Sequence, residues 1–280
     1  MPSKNILFGT GGIPRSTKGK SSVSGIKRIR ELSLDCMELE FVQGVRMGEK
    51  GARDVLEVAL KKNVALSVHA PYYINLNSYD KEKIKASLER IYQAARIGSL
   101  CGAESIVFHA AFYQKSSKQD TYKKVSETLK ELTGRLRDEG IPAVLRPETM
   151  GKRTQFGTLE EVLALSAEIE GVMPCLDFSH MHARVGKENT HSEFMIILSK
   201  VEEVLGKEGL SNMHIHVSGI EYDRNGEKKH LTLKESDFNY PELLRAFNEF
   251  EIRGLLICES PVLEEDALLL RKTYSEYNHL

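Results

Sequence analysis

The stretch 173–184, MPCLDFSHMHAR, carries an apolar run straight into a carboxylate and two imidazoles: Pro174, Cys175 and Leu176 are followed by Asp177, His180 and His182. Burying such groups unpaired costs several kcal/mol. A metal ion at the mouth of a strand-built barrel would satisfy all three. The same pattern recurs. Short apolar runs end at His69 in LSVHAPYY, His109 in IVFHAAFY, Glu148 in AVLRPETMG, His214 in NMHIHVSG and Glu259 in LLICESP. Seven of the nine histidines (His69, His109, His180, His182, His214, His216 and His230) lie at or just after such runs. A single histidine on an apolar face is usually a satisfied core residue. Packing alone does not end six successive strands in ligand-type residues, so these are read together as a metal site. One ion takes three or four protein ligands, so two or three ions are expected. The many imidazoles favour zinc, with manganese also compatible. Ions clustered about 3.5–4 Å apart serve phosphate ester hydrolysis.

The periodicity says what positions these residues. Strands are predicted over 5–8, 36–42, 65–68, 105–108, 143–145, the run into Asp177, 213–217 and 254–258. Helices are predicted over 22–32, 50–62, 81–100, 122–139, 159–169, 192–205, 240–250 and 264–274. Thr158 with Glu161 three residues on marks one helix start as a capping box. Alternating strands and helices imply parallel pairing with right-handed crossovers. Eight such units in 280 residues predict one domain, 1–280, folded as a (β/α)8 TIM barrel. The active site of that fold lies at the C-terminal ends of the strands, where these His, Asp and Glu residues fall. The second strand, CMELEFV, sets Glu38 and Glu40 on one face, as further ligands or as partners of basic residues. The cluster Gly9-Thr10-Gly11-Gly12 lacks the spacing of a phosphate loop and reads as a turn at a strand end. The polar segment 219–237 reads as a loop.

Composition is permissive. Lysine and arginine total 39 and acidic residues 40, so the net charge alone does not point to nucleic acid. It leaves room for a local basic surface. Arg146, Lys152, Arg153, Arg184, Lys187, Arg224, Lys228 and Lys229 are expected near the mouth, as a phosphate-contacting rim or as ordinary loop charge. The four cysteines form no CxxC pair and read as small buried apolar residues of a reducing compartment. With no signal-peptide pattern and no apolar run near the roughly 18 residues of a membrane span, a cytoplasmic protein without a membrane partner is expected.

The motifs HAPYYINL, VFHAAFY, PETMGK, CLDFSH, MHIHVSG, HLTL and CESP, in this order, resemble the endonuclease IV family of the xylose-isomerase-like barrels. They span about two thirds of the chain. The resemblance implies a zinc-dependent enzyme that cleaves duplex DNA 5′ to abasic sites, in DNA repair. A monomer is expected. The resemblance also implies that Glu148 bridges two ions and is the catalytic centre of the array. His69 and His109 would complete the first ion, Asp177, His214 and Glu259 the second, and His180 with His230 a third. Apart from the resemblance, His182 and His216 are candidate additional ligands. Tyr72 matches a family tyrosine in the DNA-facing loop after the third strand; Arg184 and Lys228, from the basic rim, are the other residues expected to face the substrate. The family holds its third ion with an Asp two residues before the last histidine, and here that position is Lys228. Asp223, Glu227, His216 or His182 are the nearby substitutes.

Two other readings stand beside this one. A sugar isomerase or epimerase uses the same barrel with one or two metals. A non-catalytic, metal-stabilised DNA-binding module would need the ions only for structure. On the sequence alone, Glu148→Gln is expected to abolish activity and lower metal content, because a neutral amide bridges two cations poorly. Lys228→Asp is expected to raise occupancy of the third ion. Metal analysis of the purified variants checks both.

Overall fold

Strands covered on both faces must be apolar along most of their length, and the runs predicted above form such strands. The computed structural model describes residues 5–277. Eight parallel strands make up the barrel: β1 (Ile6–Gly11), β2 (Cys36–Glu40), β3 (Ala65–His69), β4 (Ser105–Phe108), β5 (Val144–Pro147), β6 (Cys175–Asp177), β7 (Met213–Val217) and, last in sequence, β10 (Gly254–Cys258). They pair in the order β5-β4-β3-β2-β1-β10-β7-β6. The barrel closes between β5 and β6 through parallel bridges Leu145–Val172 and Glu148–Cys175, where the Thr149 amide donates to the Cys175 carbonyl at 3.0 Å.

Eight helices surround it: α1 (Ser22–Glu31), α2 (Glu49–Lys62), α3 (Lys81–Leu100), α4 (Lys118–Asp138), α5 (Leu159–Glu168), α7 (His191–Ser211, interrupted at Gly206), α8 (Tyr240–Glu249) and α9 (Glu264–Tyr277). Their apolar stripes bury residues such as Ile26, Ile29, Ile91, Leu129 and Phe247 against the strands. Helix α5 opens on the predicted capping box of Thr158 and Glu161, and α7 opens on a second one, Thr190 with Glu193. The architecture is the predicted (β/α)8 barrel. Among the described residues, no helix is long and apolar enough to cross a membrane.

Three local departures have identifiable causes. The glycine cluster is not simply a turn, since Gly9 and Gly11 lie inside β1 and only Gly12 turns away, with φ +94. An added Cβ at Gly9 would lie 1.9 Å from the Cys36 carbonyl oxygen, so β1 and β2 meet there only because a side chain is missing. A short helix, α6 (Phe178–Val185), follows β6 at once. Asp177 caps it by accepting the His180 amide proton at 2.7 Å, and Gly186 ends it in the left-handed conformation. Phe178 anchors α6 by edge-to-face packing on Phe194 and Phe247, at 6.1 and 5.3 Å between ring centres. The segment read as a loop holds an antiparallel hairpin, β8 (Gly219–Asp223) and β9 (Gly226–Leu231). Its second strand, GEKKHL, is too charged to show an apolar alternation.

The contact at Gly9 is rigid because the neighbour is backbone. Gly9→Ala is expected to destabilise the protein by about 3 kcal/mol, read as a lower urea midpoint with an unchanged slope. An unchanged midpoint would show that β1 and β2 can part without cost.

Candidate metal centre

Parallel strands deliver their C-terminal residues to one mouth. His69 ends β3, His109 follows β4, Glu148 follows β5, Asp177 ends β6 and Glu259 follows β10. Glu148 is the hub and is buried. Its Oε2 lies 3.3 Å from His69 Nε2 and 3.1 Å from His109 Nε2. Its Oε1 lies 3.2 Å from His180 Nδ1 and 3.4 Å from His216 Nδ1. Three sets of potential ligand atoms, each within 4.8 Å of one another, adjoin in this way: His69, His109 and Glu148; Glu148, Asp177, His216 and Glu259; and Asp177, His180 and His230.

Strand register decides between the two histidines of β7. Side chains two apart share a face, so His214 and His216 both point into the barrel, one layer apart. His216 pairs in register with Asp177, and His214 pairs with Cys175. The structure therefore places His216 beside Asp177 and Glu259, where the sequence analysis expected His214. His214 lies one layer deeper, with Nδ1 2.7 Å from Ser105 Oγ. Glu38 joins the two layers. Its carboxylate is fully buried, 3.0 Å from His216 Nε2 and 3.1 Å from His214 Nε2, and accepts a 2.7 Å hydrogen bond from Ser67. Strand alternation had marked Glu38 as a candidate ligand; here it backs His216, itself a potential ligand, from behind. Glu40, also raised as a ligand, gathers with Glu38 and Glu259 at the rim of this group.

The hydrogen-bond network assigns tautomers. Nδ1 of His69 faces the Ala70 carbonyl at 2.8 Å, Nδ1 of His180 faces Thr149 O at 3.1 Å, and Nδ1 of His230 faces Glu259 O at 3.1 Å. A carbonyl can only accept, so each Nδ1 carries a proton and each Nε2 is left to bind. His180 Nε2 and His230 Nε2 then face each other at 3.3 Å, which requires a proton or a cation between them. Glu148 Oε1, Asp177 Oδ2 and His216 Nδ1 are buried without a hydrogen-bond partner. Orphaned buried polar atoms are rare, and these converge from three strands. Such a donor set fits divalent metal ions, with N and O ligands of the kind zinc takes.

Electrostatics agrees with the geometry. Burial alone would raise the Glu148 carboxyl, but His109, His180 and His216 around it hold it well below the ordinary carboxylate range. Burial would lower His69, yet the hydrogen bond and charge of Glu148 push it up to about 10. Burial holds His214 down at about 4, so that deeper ring is neutral. Against their burial, the neighbouring carboxylates likewise raise His180 and His216, so without metal, protons on His69, His180 and His216 balance the carboxylates, and metal ions would have to displace them.

The other expected residues are placed as follows. Tyr72 is exposed and stacks on His109 with ring centres 5.4 Å apart, at the open side of the site. His182 turns away, with Nδ1 on Lys187 O at 2.8 Å and Nε2 3.2 Å from Asp237, and it enters none of the ligand groups. Arg184 spends its guanidinium on the carbonyls of Met150, Lys152 and Gln155, so it clamps the loop after β5. Lys228 points outward to Glu221 at 2.8 Å. Arg146, expected at the mouth, is buried inside the barrel wall, held by Pro174 O and by Asn212. Its position in the middle of β5 explains this, since only residues past the strand end reach the mouth. Glu227, one of four substitutes named for the third site, brings Oε2 to 3.6 Å from His180 Nε2.

Comparison with known proteins agrees with the barrel fold. The profile described as xylose isomerase-like TIM barrel matches residues 26–273. An uncharacterized protein of Methanocaldococcus jannaschii is 44% identical over 272 residues, 97% of each chain. A probable endonuclease 4 of Aster yellows witches'-broom phytoplasma is 25% identical over 232 residues, 79% of this chain and 76% of the other. Among solved structures, endonuclease IV from Thermus thermophilus superposes with a TM-score of 0.73 at 18% identity, covering 96% of this chain and 99% of its own. A D-tagatose 3-epimerase-like protein reaches the same TM-score at 20% identity, covering 96% and 97%. At these identities the superpositions establish the fold alone.

Glu38 holds His216 from behind, as carboxylates commonly do for metal-ligating histidines. Glu38→Gln is expected to weaken binding of the ion at His216 ten- to a hundredfold, while the ion at His69 and His109 is retained. Competitive titration against a chelator measures both affinities. Equal loss at both positions would mean that Glu38 supports the barrel rather than His216.

Proposed function

Because the chain belongs to the xylose isomerase-like TIM barrel family, we propose that it is a metal-dependent phosphodiesterase that cleaves duplex DNA 5′ to abasic sites. We propose zinc as its metal, with manganese able to replace it, and a monomer acting in the cytoplasm. One observation carries the reading: Glu148 and Asp177 each belong to two adjoining ligand groups. Shared carboxylates would hold cations next to one another, as phosphodiester hydrolysis exploits, and three adjoining groups are more than the one or two metals of a sugar isomerase or epimerase require. Similarity to a probable endonuclease 4 over most of the chain supports the same reading.

Divalent cations at this centre would supply Lewis acidity toward the phosphoryl oxygens and acidify a water. The chain's own residues set the rest. Glu148, fixed by four imidazoles, holds the first two ligand groups in a constant relation. The Nδ1 contacts to carbonyl groups keep the imidazoles of His69, His180 and His230 from rotating. Tyr72, 52% exposed over His69 and His109, offers a ring face to a sugar or a base beside the scissile phosphate. Lys152, Lys187 and Arg224 are exposed on the loops around β6 and the hairpin, and they contact flanking phosphates. Arg146 and Arg184 are not part of that rim, since backbone carbonyls occupy their guanidinium groups.

A sugar epimerase is the second reading, favoured by the equal superposition on the D-tagatose 3-epimerase-like protein. A duplex oligonucleotide with one abasic site separates the two. Protein loaded with zinc or manganese is expected to nick it on the 5′ side, leaving a 3′-hydroxyl, and a chelated control is not. Protein of proven metal content that leaves the duplex intact but exchanges a ketohexose with its epimer would replace this proposal with the second reading.

A further inference from the structure

The hairpin over the metal centre contains an irregularity that the sequence does not announce. Strands β8 and β9 pair Ile220 with His230 and Glu221 with Lys229, and then Tyr222 with Glu227. Lys228 is skipped, so β9 carries a β-bulge. In an unbroken strand, side chains alternate, and His230 would share its face with Lys228. The extra residue shifts the phase by one. Lys228 and Lys229 both turn to the outer face, where they pair with Glu221 at 2.8 and 3.2 Å. Glu227 turns inward with His230, toward His180.

The surroundings hold Glu227 in this place. Its amide donates to the Gly151 carbonyl at 3.2 Å, and Lys152 bridges Gly226 in an antiparallel pair. Gly226 has φ +102, and a Cβ there would meet the Gly151 carbonyl oxygen at 2.1 Å. Gly151 is equally constrained, because its own Cβ would come within 2.6 Å of Glu227 Cβ and 3.2 Å of His180 Cδ2. Arg184 pins the loop that carries Gly151. Beneath the carboxylate lie the facing Nε2 atoms of His180 and His230, and Asp177 Oδ2, fully buried without a hydrogen bond.

We propose that Glu227 is the fourth protein ligand of a divalent cation held with Asp177, His180 and His230, and that the bulge at Lys228 exists to deliver it. The inference rests on the metal-centre reading above and adds a specific ligand to it. It also reverses the expectation for Lys228→Asp, since a carboxylate at 228 would stand on the outer face beside Glu221.

Metal counting on the purified full-length chain tests it, using mass-spectrometric analysis after dialysis and titration of the apoprotein with Co2+ followed by its visible absorption. The wild type is expected to bind three ions. E227Q is expected to bind two with unchanged affinity and to take the third only at free Co2+ at least about tenfold higher. G151A keeps the carboxylate but crowds it away, and is expected to show the same selective loss. K228D is expected to match the wild type. Three ions bound to E227Q with wild-type affinity, or a third ion gained only by K228D, would overturn the assignment of Glu227. A wild type that binds no metal would overturn the metal-centre reading itself, a result distinguishable from both.

Discussion

The structure depends on one buried carboxylate. Glu148 sits at the barrel mouth with imidazoles on both oxygens, contributed by β3, β4, α6 and β7. Left alone, a buried carboxylate protonates or unfolds its surroundings. Here the imidazoles hold it ionised, and they in turn need its charge to stay where they are. Two of the rings are also fixed at the nitrogen away from Glu148, His69 by the Ala70 carbonyl and His216 by Glu38, and the Thr149 carbonyl holds His180. The ligand atoms are therefore positioned before any cation arrives, so little ordering is required on binding.

This arrangement explains features that otherwise look unrelated. Helix α6 begins at Asp177 because the same carboxylate that faces the centre through Oδ2 caps the helix through Oδ1. Arg184, at the other end of α6, closes over the loop after β5. That loop receives the tip of the β8–β9 hairpin. Strand end, short helix, loop and hairpin thus form one connected rim around the site. The absent Cβ atoms of Gly151 and Gly226 let its parts approach.

The fold by itself is neutral about chemistry. A nuclease and an epimerase-like protein superpose on it equally well, as expected of a barrel whose activities reside in the strand-end residues. The chemistry of this chain has to be read from its own mouth residues, where Glu148 and Asp177 are shared between adjoining groups with the exposed Tyr72 beside them.

Much of this was written locally in the chain. Apolar runs with strand and helix periods determined the eight alternating units, because burial on both faces of a parallel sheet leaves no other pattern. Ligand-type residues at the ends of those runs marked the mouth, since His69, His109, Glu148, Asp177 and Glu259 need only the strand direction to be brought together. Three matters were left to the tertiary structure. Register, a relation between strands, put His216 rather than His214 level with Asp177. Backbone carbonyls, invisible in a sequence, claimed Arg146 and Arg184. A bulge, which depends on how two strands pair, turned Lys228 outward and Glu227 in. Residue types and periods are properties of one segment, whereas register, bulges and carbonyl partners arise only when segments meet.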